Sequence, residues 1–231
     1  MTEPSLLLLA RAGDPAIEPL RQLLPRRLFH ADIADLSSAG WQYVVGRPDL
    51  ATAYASSHVL TADRITAVLC RISSVLPQDI QHVHADDRAF AAAEMNAFLR
   101  AWLAQFKGAR CNEPNSTSLA GPAWHPMRWR WLAAQLGVPS VAASFSAPDD
   151  GVASRGLVTA LVAGDQVIGT QDPTLVRHSL RIARAVHSAL LAVRFVSDSG
   201  WRFESADSSP PLDQHGAAKL IEWAFRLRAA A

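Results

Sequence analysis

The chain has 231 residues, enough for one large domain or two small ones, and its 49% hydrophobic and 19% charged residues exclude a disordered or fibrous protein. A net charge of +1 argues against a nucleic-acid binder that works by neutralising phosphates. The two cysteines, Cys70 and Cys111, lack CxxC spacing, which excludes a disulfide scaffold and a cysteine zinc site and fits a reducing compartment.

Residues 6–10 form an apolar run too short to span a membrane. They lack the basic start and small-residue cleavage site of a signal peptide, and Glu3 precedes them. They read as a buried first strand of a cytoplasmic bacterial protein without membrane contact. Gly13-Asp14-Pro15 marks the strand exit as a turn, and 16–24 has helical spacing. Residues 27–32, 41–45 and 58–60 read as further strands. The continuous β-branched run 65–72 suits a buried parallel strand.

The spacing predicts a long helix over 86–106, with an apolar stripe of Phe90, Met95, Phe98, Leu99, Trp102, Leu103 and Phe106 and with Gly108 as C-cap. A polar loop follows over 112–126, then a helix over 127–136 ending at Gly137. The serine-, alanine- and aspartate-rich stretch 140–155 reads as a linker. A hairpin covers 156–169 around Ala163-Gly164-Asp165. Asp172 followed by Pro173 opens a helix expected to run to about residue 191. A second hairpin, 191–196 and 201–206, turns at Asp198-Ser199-Gly200, and a closing helix spans 214–228. The expected organisation is an α/β domain over 1–139 with a mostly parallel sheet, a linker over 140–155, and a hairpin-helix-hairpin-helix lobe over 156–231.

Several motifs stand in a telling order. Arg71 ends the apolar strand, Glu94 lies inside the aromatic helix, Asn112-Glu113-Pro114 opens the loop and Gly137-Val138-Pro139 closes the next helix. Each is weak alone; their order resembles the ATP-grasp superfamily, specifically RimK-type glutamate ligases and graspetide macrocyclases. The resemblance implies a pre-ATP-grasp α/β domain followed by a reduced, α+β half of the ATP-grasp fold.

The departures bear on function. Where the resemblance implies a central ATP-binding subdomain, this chain has only the linker 140–155. The lysine opening the family's helix falls at His125. The family's metal-binding strand pair carries Asp, then Glu and Asn; aligned on the turn and on Ser208-Ser209-Pro210-Pro211, these positions hold Arg194, Ser205 and Asp207. A one-residue slip would bring Glu204 to the Glu position, but strand alternation would then aim it at the opposite face. Phosphoryl transfer from ATP needs its charge neutralised, and an arginine at a metal-ligand position repels a cation.

The leading expectation is therefore a degenerate, non-catalytic ATP-grasp-like protein with no cofactor. It would bind a peptide, a carboxylate ligand or a partner protein as an accessory or regulatory component. Its candidate ligand-binding residues are Arg71, Asn112, Arg194, Asp207 and Ser209, expected to converge between the lobes with Arg71 and Arg194 clamping a carboxylate. The alternative is an ATP- and Mg-dependent carboxylate–amine ligase with Glu204 and Asp207 as metal ligands. A third reading is a structural oligomeric subunit, and the resemblance makes a homodimer plausible.

Trp124, Trp129 and Trp131, interleaved with His125, Arg128 and Arg130, form a candidate partner surface; the bland reading is helical core packing. His82 and His84 before Asp86 lack an evident third metal ligand and read as a solvated loop. Cys70 reads as core and Cys111 as exposed.

Overall fold

A computed structural model describes residues 3–142, 156–197 and 200–229. It divides into two compact units, Met1–Pro122 with Pro211–Ala231, and Ala123–Pro210. The linker expected over 140–155 and the turn residues Asp198 and Ser199 lie largely or wholly outside the described residues.

The first unit is built on a four-stranded parallel sheet in the order β2-β1-β5-β6. Strand β1 (Leu6–Leu9) sits between β2 (Leu28–Ala31) and β5 (Ala67–Cys70), and the short β6 (Ala109–Arg110) pairs with β5. All four residues of β1 and all four of β5 are buried, as a sheet covered on both faces requires. Helix α1 (Ile17–Leu23) connects β1 to β2. The short α2 (Ile33–Leu36) starts at Asp32, whose side chain accepts from the amides of Ala34 and Asp35 while Asp35 answers in a capping box.

Two expected strands resolve differently. Residues 41–45 form only a bridge, with Gln42 and Thr52 exchanging backbone hydrogen bonds before the chain turns at Gly46. The strand expected at 58–60 is β4 (His58–Thr61), but it pairs antiparallel with β3 (Thr52–Ala55) in a separate two-stranded ribbon. Ser56 and Ser57 take positive φ to make that tight turn, a signal that serines give weakly.

Helix α3 (Arg88–Gln105) follows a short 3-10 turn, and its Ala92, Leu99, Trp102 and Leu103 are buried. The Trp102 ring stacks on Phe106 and its indole N–H donates to the Thr52 carbonyl at 2.9 Å, tying the helix to β3. Asn96 clamps the backbone of Val75 through both its amide atoms. Phe90, counted in the apolar stripe, is 72% exposed. Gly108 is no left-handed cap: a Cβ there would come within 2.5 Å of the Phe106 ring and the Thr66 carbonyl, so glycine serves close approach.

Helix α6 (Gln214–Ala229), expected to complete the second lobe, belongs to the first unit and packs against α1 and β6. The Arg27 guanidinium lies 5.8 Å over the Phe225 ring, and the amide of Gln214 donates to Gln22.

The second unit holds an antiparallel sheet in the order β10-β9-β7-β8. Strands β7 (Gly156–Ala163) and β8 (Gln166–Ile168) form the first hairpin, with Gly164 at positive φ. Strands β9 (Leu190–Ser197) and β10 (Trp201–Asp207) form the second. Helix α4 (Pro126–Gln135) packs on β10, and α5 (Pro173–Ala185) on β7, β8 and β9. Asp172 caps α5 through the amides of Thr174 and Leu175, with Pro173 at the first position. This helix stops at Ala185, short of the expected end near 191, because His187 adopts a left-handed φ of 52° and the chain enters β9. Trp129, Ala133, Val162, Ile182, Val193, Phe195 and Phe203 are among the residues closing the core.

Candidate functional site

The face of the second-unit sheet opposite this core is set by register. Thr159, Arg194 and Ser205 form one row across β7, β9 and β10. Leu161, Ala192 and Asp207 form the row on one side, and Leu157, Val196 and Arg202 the row on the other. Arg194 is exposed in the middle of this face, and no described residue gives its guanidinium a hydrogen bond or ion pair.

The register depends on a β-bulge. Phe203 pairs with Phe195, and Ser205 with Arg194, so Glu204 is an extra residue on β10. The bulge reverses the alternation, which keeps Phe203 in the core while turning Ser205 and Asp207 to the open face. Arg130 Nε donates to the bulge carbonyl of Glu204 at 3.1 Å and so pins the irregularity. A simple alternation count along β10 cannot place these side chains, because it takes no account of the extra residue.

The oxygens on this face suit a cation poorly. Asp207 is the sole carboxylate in the three rows, and its Oδ1 accepts from the Ser209 amide at 2.8 Å. Arg194 stands between Thr159 and Ser205, and a guanidinium there repels a divalent ion that seeks several oxygen ligands. These residues do not fit a magnesium–nucleotide site. Among the described residues no group of three or more His, Cys, Asp or Glu side chains gathers as a metal set.

In the first unit, Arg71 leaves the end of β5, where its amide donates to the Leu9 carbonyl at 2.7 Å. Its Nε donates to both carboxylate oxygens of Asp14 at 2.8 and 2.9 Å, and only 4% of the side chain is exposed. Asp14 also accepts from the Ala16 amide at 2.8 Å. The Gly13-Asp14-Pro15 segment is thus an anchoring point as well as a turn. An acidic residue just after a first strand is too common to have flagged it.

Asn112 is buried, its Nδ2 donating to the Ala120 carbonyl at 3.2 Å, and Gly121 at φ +95° lets the loop pass against it. Both contacts fasten the loop after β6. Thus Arg71 and Asn112 lie in the first unit, whereas Arg194, Asp207 and Ser209 lie in the second.

The tryptophans divide. Trp129 is 1% exposed and packs in the second-unit core, so it presents no surface to a partner. Trp124 packs on Trp129 at 4.8 Å and carries the Arg128 guanidinium 4.0 Å over its ring. Trp131 is 61% exposed. Helical geometry explains the split: neighbours two positions apart on α4 face different ways. His125 caps α4, its Nδ1 accepting from the Met127 amide at 3.3 Å. His84 lies 3.7 Å from Asp86, with both side chains largely exposed. Cys111, expected at the surface, is fully buried because β6 carries it inward beside β5. Burial pushes the thiols of Cys70 and Cys111 up to about 12, so neither is a nucleophile at neutral pH.

No family model and no curated protein sequence matches the chain. Solved structures do. The macrocyclase MdnC bound with precursor peptide MdnA, from Microcystis aeruginosa MRC, matches with a TM-score of 0.67 at 12% identity, covering 96% of this chain and 99% of its own. The ATP-grasp ligase PsnB, complexed with a phosphomimetic variant of its minimal precursor, Mg and ADP, matches with a TM-score of 0.70 at 12% identity, covering 97% and 98%. A RimK domain ATP-grasp protein from Sphaerobacter thermophilus DSM 20745 matches with a TM-score of 0.53 at 14% identity, covering 96% and 99%. The chain has the ATP-grasp fold. No helix among the described residues is long and apolar enough to cross a membrane.

Proposed function

We propose that this chain is a non-catalytic protein of the ATP-grasp fold that binds a peptide, or another carboxylate-bearing partner, as an accessory to a modifying enzyme. The observation that carries this reading is the pairing of Arg194 with Ser205 on the open face of the second sheet. The resemblance implies two magnesium-binding carboxylates at those positions, and this chain has a cation and a hydroxyl. An exposed guanidinium flanked by Thr159 and Ser205 hydroxyls suits a carboxylate, which accepts from all three. The stretch 140–155 stands where the resemblance implies a central nucleotide-binding subdomain. Structures of the same fold in complex with precursor peptides support a peptide as the ligand. Isothermal titration with ATP, with and without Mg2+, tests the reading. No heat at millimolar nucleotide is expected. Binding that requires Mg2+ would overturn it in favour of a carboxylate–amine ligase using Glu204 and Asp207.

A further inference from the structure

The first unit contains a cavity of about 500 Å3, a size that accommodates a large side chain or small ligand. Leu36, Trp41, Met95, Phe98 and Leu99 supply its apolar wall, and Glu94 of α3 stands beside them. The neighbouring polar groups are mostly committed elsewhere. The hydroxyls of Ser37 and Ser38 both donate to the Ala34 carbonyl, and the Trp41 indole donates to the Asp35 carbonyl. Arg88, a turn and a half before Glu94 on α3, is turned onto the carbonyls of Val83 and Gln81. His82 at the cavity adds a ring nitrogen.

Glu94 is exposed, and no described residue gives it a hydrogen bond or ion pair. Phe90, one helical turn before it, is 72% exposed, and Phe98, one turn after it, lines the cavity. One helix face therefore presents aromatic, carboxylate and aromatic groups in line over about 12 Å. Asp86 and Asp87, in the 3-10 turn just before the same helix, add negative charge.

We propose that this pocket and strip bind a peptide segment in which a lysine or arginine stands between two apolar side chains. One apolar side chain would enter the cavity, the cation would pair with Glu94, and the other apolar side chain would rest on Phe90. The span from Phe98 to Phe90 exceeds what one small amine covers, which favours a peptide. In naming a peptide the inference rests on the reading above. The two fail separately: nucleotide titration tests that reading, and the probes below report on this pocket alone.

The test is fluorescence anisotropy of the full chain with labelled acetyl-Phe-Gly-Lys-Gly-Phe-amide, whose first, third and fifth side chains share one face over about 13 Å when extended, and its counterpart with Glu in place of Lys. The Lys peptide should bind about fivefold tighter than the Glu peptide. Glu94→Gln should abolish that preference, and Phe90→Ala should weaken the Lys peptide a few-fold, both with unchanged circular dichroism since both residues are exposed. Equal affinity for the two peptides, no saturable binding of the Lys peptide at millimolar concentration, or a preference that survives Glu94→Gln would overturn the proposal. So would 2-phenylethylammonium displacing the Lys peptide at equal molar potency, which would assign the pocket to a free amine.

Discussion

Ser205 on β10 lies directly across from Arg194 on β9, one residue beyond a bulge at Glu204. The pair faces away from the core, with Thr159 completing the row. A cation thus holds the middle of this open face, and it is held there by backbone register, which surface mutation does not readily shift.

Carboxylates introduced on this face should create a cation site. The double variant Arg194→Asp, Ser205→Glu places two acids in cross-strand contact near Asp207. Terbium luminescence titration should show a site in this variant that is weaker or absent in the parent. An unchanged titration would mean that the bulge aims these positions too far apart to share an ion.

The Arg71–Asp14 pair is a structural element. Asp14→Asn takes the carboxylate away from the Arg71 guanidinium, whose side chain is only 4% exposed, and should cost about 3 kcal/mol in urea unfolding. A loss below about 1 kcal/mol would show that water or another group compensates the arginine.

Two tryptophans two residues apart should respond oppositely. Trp129→Ala opens a cavity in a packed core and should cost about 3–5 kcal/mol. Trp131→Ala removes an exposed ring and should change stability by under about 0.5 kcal/mol. If Trp131 forms an oligomer contact, sedimentation should show a lower mass for Trp131→Ala at unchanged stability.

Both cysteines should resist Ellman's reagent in the native protein at pH 8 and react in urea. Their folded values lie above the unfolded value of about 8.5, so the stability they contribute is full below that pH and is lost as pH rises toward about 12. Alanine at Cys70 and Cys111 should flatten the alkaline fall in melting temperature.

The hydrogen bond from Arg11 holds the Asp79 carboxyl below the usual carboxylate range. A depressed folded value means stability that is present above about pH 3.9 and is lost as pH falls through the folded value. Because Arg11 is 45% exposed, solvent screens the pair and the effect is modest. The melting temperature of Asp79→Asn should fall less steeply than that of the parent below pH 4.

What the sequence by itself determined is local. The buried runs of β1 and β5, the Asp172–Pro173 helix start and the glycine turn at Gly164 follow from periodicity and from conformational preferences that act within a few residues. The order of Arg71, Glu94, Asn112-Glu113-Pro114 and Gly137-Val138-Pro139 was enough to point to the fold. What only the tertiary structure decided depends on residues far apart in the chain. The Glu204 bulge is defined by which β9 residue pairs with which β10 residue, and no alternation count along one strand contains it. Burial of Cys111 and Trp129, the Arg71–Asp14 pair and the packing of α6 on α1 likewise arise when distant segments meet. Periodicity reports which side of an element is apolar; only packing decides which partner that side meets and which polar group is left to face a ligand.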